Sequence, residues 1–256
     1  MKVTAILLAA GQGTRMKSDL PKVLHPLCGR PMLWYILEAV RAASTETPAV
    51  IVGHGAEQVK AFLGETATSI QQEPQLGTAH AVLQAESLLK GKSDYAMVLY
   101  ADMPLLRGET LKRLVETQMH NTGPLSILTV QADDPRGFGR VLRGRGGEVE
   151  AIVEEYVATP DQLNIKELNA GVYCFKSEWL WEVLHRIPRN PQKGEYYLTD
   201  IVELAVKDKL PVQTVMHELA AAASNIISFL YTHRDRPVIF YCRGGASPWR
   251  KMTRWE

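Results

Sequence analysis

The chain has 256 residues, 46% hydrophobic and 22% charged, which is long enough to bury the core of one large domain. Its formal net charge of +1 gives no global field that would attract nucleic acid or an anionic membrane. No segment approaches the roughly 20 apolar residues of a membrane span. The three cysteines are widely spaced and form no C-x-x-C pair, so we expect a cytoplasmic protein.

The first 120 residues alternate between short apolar runs and segments with helical spacing. Strands are predicted for residues 3–10 and for the runs TPAVIVGH and YAMVLYADMPLL. Helices are predicted for RPMLWYILEAVRAA, AEQVKAFLGE, AHAVLQAESLL and GETLKRLVETQMH. This alternation indicates an α/β fold with a doubly wound, mostly parallel (Rossmann-like) sheet. Such sheets bind ligands at the carboxyl ends of their strands, where GQGTRMKS, HGAE and ADMP lie.

The second half of the chain has a different pattern. The runs LSILTVQ, GRVLRGRGGEVEAIVEE and NAGVYCFK are strand-like, and GRGG is typical of a hairpin turn. We therefore expect an antiparallel extension of the sheet, followed by a helix around EWLWEVLHRI. Residues 220–223 are four alanines, and a Trp- and Arg-rich segment follows them. The sequence thus predicts one domain at 1–219 and a divergent C-terminal tail at 220–256.

The loop GQGTRMKS, Gly11 to Ser18, nearly matches two familiar phosphate loops and satisfies neither. A P-loop and a G-x-G-x-x-G dinucleotide fingerprint both need glycine where Met16 stands. Its two glycines allow positive φ and bring backbone N–H groups close to an anion. Arg15 adds a planar fork suited to phosphate oxygens, and Lys22 adds a compact charge. Taken alone, these residues could equally form an ordinary turn with solvated basic side chains.

Two further stretches offer polar groups near the same sheet edge. Asp102 follows the third predicted strand, where a carboxylate beside a polyphosphate is well suited to holding Mg²⁺. In QQEPQLGTAHA, Gln72 carries an amide that could pair with a base edge, and Gly77 and Thr78 precede a helix. The alternative interpretations are an Asp in a turn before Pro104 and a helix N-cap at Thr78.

Taken together, these stretches resemble a known family. LLAAGQGTRMKSDLPK is similar to the signature L-A-A-G-x-G-T-R-M-x-S-x-x-P-K of sugar-phosphate nucleotidyltransferases. More narrowly, the chain resembles the uridylyltransferase (pyrophosphorylase) domain of the bacterial bifunctional enzymes that make UDP-N-acetylglucosamine. That match adds, in order, QEPQLGTAHA, YADMPLL, DDPRGFGRV, IVEE, ELNAGVY and GEYYLTDIV, over roughly residues 3 to 219. No six-residue β-helix repeat is present, so we expect the family's acetyltransferase domain to be absent here.

The resemblance implies a role for residues in each motif. It makes Arg15, Lys22 and Asp102 catalytic, the first two beside the departing pyrophosphate and the third on Mg²⁺. The residues implied to bind substrate are Leu8, Ala9, Ala10, Gly11, Lys22, Gln72, Gly77, Thr78, Tyr100, Ala101, Asp102, Gly139, Glu154, Asn169, Tyr197 and Thr199.

Within this set, the resemblance separates a nucleotide side from a sugar side. Residues 8–11 would form the backbone shelf for the nucleotide, and Gln72 with the Gly77–Thr78 pair would read uracil. Gly139 would contact the sugar through its backbone, and Glu154 and Asn169 would bind its hydroxyls or N-acetyl group. Tyr197 and Thr199 would close the sugar side and reach its phosphate. As isolated residues, Glu154 could instead be a solvated strand residue and EYYLTD a helix start.

The chain departs from the family pattern at two places. The family commonly has glycine before its metal aspartate, where this chain has Ala101. A family segment resembling E-V-x-G-V-N-x-R supplies an asparagine as second metal ligand, and this chain has AAAASNIIS at that place. Asn225 sits one residue early and is the candidate second metal ligand beside Asp102.

The activity implied by the resemblance is Mg²⁺-dependent transfer of uridylyl from UTP to N-acetylglucosamine 1-phosphate. The expected partners are these small molecules, with neither nucleic acid nor membrane. Two alternatives stay open. One is a related sugar-1-phosphate nucleotidyltransferase that uses glucose 1-phosphate with UTP or dTTP, since Gln72 alone cannot tell uracil from thymine. The other is a nucleotide-sugar binding protein whose catalysis is impaired by the altered tail.

Overall fold

The computed structural model describes residues 1–132 and 137–217. The strands of this part of the chain are β1 (Val3–Leu8), β2 (Pro26–Leu27), β3 (Arg30–Pro31), β4 (Ala49–Val52), β5 (Thr68–Gln71), β6 (Tyr95–Tyr100), β7 (Leu125–Gln131), β8 (Arg140–Arg143), β9 (Val149–Val153), β10 (Glu167–Lys176) and β11 (Val212–His217). The helices are α1 (Met32–Arg41), α2 (Ala56–Leu63), α3 (Thr78–Leu83), α4 (Glu86–Leu89), α5 (Gly108–His120), α6 (Pro160–Leu163), α7 (Ser177–Leu184) and α8 (Asp200–Lys207). Three short 3₁₀ turns lie at Thr14–Met16, Lys22–Leu24 and Glu155–Val157.

The main sheet is ordered β11-β7-β10-β6-β1-β4-β5 within the described residues, with the β8–β9 hairpin attached to β10. β1 pairs in parallel with both β4 and β6, and β5 continues the parallel part. β10 runs antiparallel to β6 and β7, and β8 is antiparallel to β9 and β10. The predicted doubly wound, mostly parallel sheet with an antiparallel extension is therefore confirmed.

Apolar side chains cover both faces of this sheet. Along β1 the side chains alternate, so that Ala5 and Leu7 join the core under α1, α2 and α5. Ile6 points to the opposite core, which α3, α7 and α8 cover. The five apolar residues that predicted the first long helix, Met32, Leu33, Ile36, Leu37 and Val40, are all buried in α1. A sheet buried on both faces explains why its strands read as continuous apolar runs.

Several elements differ from the sequence-based prediction, among them short elements such as β2, β3 and α6 that it did not include. The stretch AHAVLQAESLL forms two helices, α3 and α4, which are separated at Gln84–Ala85 rather than joined. The strands β5 and β11 were not predicted. Both lie at the two ends of the sheet path and carry partly exposed residues, so they lack the apolar run that marked the central strands.

Three of the sequence-based predictions can be compared with the structure only in part or not at all. None of the helices in residues 1–132 and 137–217 is long and apolar enough to cross a membrane. The predicted tail, residues 220–256, and its candidate metal ligand Asn225 lie outside the described residues.

Candidate functional site

The carboxyl ends of β1, β4, β5 and β6 meet at one edge of the sheet, because these strands are parallel neighbours. The loop after β1 turns at Gly13, whose φ of +60° lies in the left-handed region. A Cβ at Gly13 would stand 2.9 Å from the Cβ of Lys22, so only glycine lets the two segments pack this closely. Arg15 lies in the 3₁₀ turn that follows, and its side chain is outside the described residues.

The predicted nucleotide shelf, Leu8 to Gly11, is held by its own backbone. The Leu8 carbonyl accepts from the Ala101 N–H at 3.1 Å, and the Ala10 carbonyl accepts from the His54 N–H at 3.3 Å. Gln75 Nε2 also donates to the Ala10 carbonyl, at 2.8 Å. The alanines at 9, 10 and 101 are buried and carry no bulk beyond a methyl group. The shelf is thus fixed before any ligand arrives.

The main charged contact of this edge is the ion pair between Lys22 Nζ and Asp102 Oδ2. The two side chains are only 23% and 21% exposed, although they come from different strand ends. Within the described residues, no group of three or more His, Cys, Asp or Glu side chains could hold a metal ion. Among the described residues Asp102 is the candidate ligand for Mg²⁺, whose other octahedral positions would go to substrate phosphates, waters or a ligand outside these residues.

Gln72 and the Gly77–Thr78 pair lie together beside the shelf. Gln72 is buried directly after β5, and its backbone N–H donates to the Val52 carbonyl at 2.8 Å. Its Nε2 donates to the Gly77 carbonyl at 3.0 Å. The alternative interpretation of Thr78 as a helix N-cap is wrong, since Thr78 begins α3 and its hydroxyl instead accepts from the Leu198 N–H at 2.9 Å.

Gly139 and Asn169 pack against each other at the start of the antiparallel extension. The Asn169 N–H donates to the Gly139 carbonyl at 2.9 Å, and a Cβ at Gly139 would lie 2.9 Å from Ile152 Cγ2. The Asn169 side chain is buried, donates to the Tyr173 hydroxyl at 2.7 Å and accepts from the Gly171 N–H at 3.0 Å. Within residues 1–132 and 137–217, the second N–H of this amide has no hydrogen-bond partner.

Tyr100 closes the space between the two sides. It ends β6, and Gly171 packs directly on its ring: a Cβ at Gly171 would lie 2.6 Å from Tyr100 Cδ2. Gly171 has a φ of +73°, so both its backbone and its close approach require glycine. The substrate contact of Tyr100 that the resemblance implied stays a prediction.

Glu154 and Thr199, two residues predicted on the sugar side, are in contact. The Thr199 hydroxyl donates to Glu154 Oε1 at 3.1 Å, and burial raises the pKa of the Glu154 carboxyl. Sequence reasoning missed Asp200 beside them. Burial, then the charges of Glu203 and Glu154, raise the pKa of Asp200 to about 6. The acid that ends EYYLTD was the available signal, but nothing local showed that it faces other carboxylates.

Tyr197 contacts a second tyrosine that sequence reasoning also missed. The rings of Tyr156 and Tyr197 are tilted, with their centroids 6.4 Å apart. Asn190 Nδ2 donates to the Tyr156 hydroxyl at 3.2 Å. Burial, followed by hydrogen bonding to Tyr156, raises the pKa of Tyr197. Tyr156 is about half exposed, so its motif position after Glu154 was the only clue to it.

A buried arginine, also missed from the sequence, holds the loop around Gly139. Arg140 is 2% exposed and donates from Nη1 to the Phe138 carbonyl. Its Nη2 lies 3.6 Å from Glu155 Oε1, and Glu155 Oε2 accepts from the Gly137 N–H at 2.5 Å. Glu155 therefore ties this loop to the 3₁₀ turn that follows Glu154.

The sequence of this chain is similar to those of known proteins. The family model described as "MobA-like NTP transferase domain" matches residues 5–189. "Bifunctional protein GlmU" of Enterococcus faecalis is 47% identical over 204 residues, 80% of this chain and 44% of that protein. The protein of the same name from Pelotomaculum thermopropionicum is 48% identical over 213 residues, 83% of this chain and 46% of that protein. This chain thus spans less than half the length of these curated relatives.

A solved structure supports the same fold at greater distance. A putative glucose-1-phosphate thymidylyltransferase from Bacillus anthracis superposes with a TM-score of 0.70 at 20% identity. The superposition covers 92% of this chain and 97% of the other. At this identity the likeness concerns the fold alone.

Proposed function

The chain belongs to the MobA-like NTP transferase family, and on this premise we propose that it transfers uridylyl from UTP to N-acetylglucosamine 1-phosphate. The products are UDP-N-acetylglucosamine, a precursor of peptidoglycan, and pyrophosphate, and we place the reaction in the cytoplasm. The observation that carries the proposal is the Lys22–Asp102 pair beside a glycine loop and a backbone shelf, all at one sheet edge. The similarity to the two bifunctional relatives supports the choice of acceptor.

The proposed chemistry is a displacement at the α-phosphorus of UTP. A phosphate oxygen of the sugar phosphate forms the new P–O bond while the bond from the α-phosphorus to the α,β-bridging oxygen breaks. Pyrophosphate leaves with that electron pair. Such transfers depend on positioning and charge stabilisation more than on a protein base, so we assign no acid–base pair.

The charges of the nucleotide side supply that stabilisation. Lys22 and Arg15 would lie along the pyrophosphate and stabilise the negative charge that develops as it leaves. Lys22 is already positioned by Asp102 and by its packing under Gly13. Asp102 would hold Mg²⁺, with Asn225 as candidate second ligand, and the bound ion would neutralise charge shared by the phosphates.

The sugar side would orient the acceptor. The Gly139 backbone, Asn169 and Glu154 would bind hydroxyls or the N-acetyl group, and Tyr197 with Thr199 would close over them. Glu154 supports this role because its carboxylate is partly buried and uses one oxygen for Thr199, which leaves acceptor capacity for a sugar hydroxyl.

Pyrophosphate release tests the proposal directly. Purified protein is assayed with UTP or dTTP against N-acetylglucosamine 1-phosphate or glucose 1-phosphate, with and without Mg²⁺. We expect the highest kcat/KM for UTP with N-acetylglucosamine 1-phosphate, and loss of turnover when Mg²⁺ is chelated. A clear preference for dTTP with glucose 1-phosphate would replace the assignment with that of a thymidylyltransferase. Tight binding of UDP-N-acetylglucosamine without any turnover would instead favour a binding protein.

A further inference from the structure

A row of three polar side chains runs from the end of β5 onto α3. Gln72 Nε2 lies 3.1 Å from His80 Nδ1, and Gln84 Nε2 lies 3.2 Å from His80 Nε2. Gln72 is 4% exposed, so its amide must be satisfied by the protein or by a ligand. The proposed reaction assigns Gln72 to the base but gives no role to the histidine beside it.

The orientation of the Gln72 amide is fixed by chemistry. A half-turn could exchange its nitrogen and oxygen, but the atom 3.0 Å from the Gly77 carbonyl must be a donor, since a carbonyl only accepts. The same nitrogen faces His80 Nδ1, so both of its protons are used inside the protein. Within the described part of the chain, no donor contacts the Gln72 oxygen, and that oxygen is not sealed from solvent. Gln72 therefore offers a ligand only its side-chain oxygen, which is a hydrogen-bond acceptor.

Both ring nitrogens of His80 face amide nitrogens, and each of those nitrogens also contacts a backbone carbonyl. If the buried Gln72 keeps its orientation, Nδ1 accepts from it and a neutral ring bears its proton on Nε2. Gln84 also contacts the His80 carbonyl through its nitrogen, at 3.0 Å, and would have to turn its oxygen toward Nε2–H. Gln84 is only partly buried, so this turn is easier than a turn of Gln72. Burial lowers the pKa of His80, which favours the neutral ring.

We propose that His80 is a positioning residue for base selection, acting through Gln72. By accepting the second Gln72 proton, it leaves the site with a lone acceptor that suits a pyrimidine with a ring N3–H. Uracil and thymine have that proton, whereas N3 of cytosine is itself an acceptor and is repelled. Without His80 only the Gly77 carbonyl still holds the Gln72 nitrogen, so turning that nitrogen toward cytosine costs one hydrogen bond fewer. This inference rests on the proposed function, because it assigns a base to the same site.

Kinetic selectivity tests the role of His80. The measured quantity is the ratio of kcat/KM for UTP to that for CTP, with a fixed saturating sugar phosphate. We expect His80→Leu to lower this ratio by about 10-fold or more, mainly through KM, since one buried hydrogen bond is lost. His80→Asn should restore most of the ratio, because its amide oxygen can stand near the place of Nδ1. His120→Leu is the matched control: His120 is exposed near the end of α5, and the ratio should not change.

A spectroscopic measurement keeps the inference testable if His80→Leu fails to fold. Long-range ¹H–¹⁵N correlation spectra of the wild-type protein distinguish the two neutral histidine tautomers, and His80→Asn assigns the signal. We expect the Nε2–H tautomer. The Nδ1–H tautomer, or an unchanged UTP/CTP ratio in a folded His80→Leu variant, would overturn the inference. If the wild type turns over neither nucleotide, the proposed function fails while equilibrium binding of UTP and CTP to the same variants still tests His80.

Discussion

The two halves of the candidate site are held in place by different interactions. The nucleotide half comprises residues 8–22, 53–55, 72–78 and 100–102, and the acceptor half comprises residues 137–143, 152–156, 169 and 195–200. In the first, glycines and backbone hydrogen bonds at parallel strand ends fix the shape, as with Gly13 against Lys22. In the second, side chains hold one another, as with Glu155 between Arg140 and the Gly137 N–H.

Because of this difference, we expect the nucleotide half to keep its geometry as the pH changes and the acceptor half to change with it. Backbone amides keep their charge distribution at any pH, so the nucleotide half should bind phosphates in the same geometry over a wide range of conditions. The acceptor half contains partly buried carboxylates, Glu154 and Asp200, whose pKa values are raised. Its shape and charge should respond to pH, and the predictions below use this contrast.

The largest expected effect comes from the charged pair of the nucleotide half. Lys22→Ala and Asp102→Ala should each lower kcat/KM for the proposed reaction by about 10²-fold or more, the scale of losing one charge-stabilising contact. The matched control is Asp94→Ala, because Asp94 precedes β6 at the opposite end of the strand that Asp102 follows. Steady-state pyrophosphate release checks all three variants. Near-normal kinetics of Asp102→Ala at saturating Mg²⁺ would remove Asp102 from the catalytic set.

A second effect should appear where the halves touch. Gly77 has a φ of +97°, and a Cβ there would lie 2.6 Å from the Tyr196 carbonyl oxygen. Gly91 has a φ of +75° with nothing within 4 Å, so a side chain there strains the backbone without a steric clash. Denaturant unfolding should show a loss of about 1 kcal/mol for Gly91→Ala and about 2 kcal/mol more for Gly77→Ala. Equal losses would mean that the two halves are not packed together at Gly77.

The smallest effect concerns pH and the acceptor half. The pKa of Asp200 is about 6 in the folded chain against an ordinary value of 3.8, so the folded state binds the proton more tightly. Its contribution to the free energy of unfolding is therefore present below pH 4 and is lost as pH rises through about 6. Asp200→Asn should remove this loss and stabilise the protein at pH 7 by about 1 kcal/mol, after allowance for solvent screening.

The control for this prediction is an aspartate in a similar place on a different helix. Asp161 lies in the first turn of α6 and is exposed. Asp161→Asn should leave the pH dependence of unfolding as it is in the wild type. Thermal unfolding at pH 4 and pH 7 measures both variants. If stability changes between pH 4 and pH 7 as much in Asp200→Asn as in the wild type, then other groups cause the pH dependence.

The same difference between the two halves explains which features of the fold and the site could be predicted from the sequence. The parallel core and its loops could be predicted, because apolar runs followed by glycine, as in TAILLAAGQG, are local signals. The nucleotide half was found for that reason. The edge strand β5 and the strand β11 were not, since their partly exposed residues leave no apolar run.

The acceptor half could be reached only through motif resemblance. Glu154 or Tyr197 taken singly looks like a solvated strand residue or a helix start, and their contacts join segments more than 40 positions apart in the chain. Arg140, Tyr156 and Asp200 were missed because long-range packing, not local spacing, gives them their environment. The contact between Gln72 and His80 was equally invisible before the α3 turn was placed.

Hydrogen–deuterium exchange with two ligands tests the division of the site most directly. UTP alone should slow amide exchange in peptides from the nucleotide half and leave the acceptor half unchanged. UDP-N-acetylglucosamine should slow exchange in both halves, with the added protection confined to residues 137–143, 152–156, 169 and 195–200. Identical footprints for the two ligands, or protection of the acceptor half by UTP alone, would contradict the account.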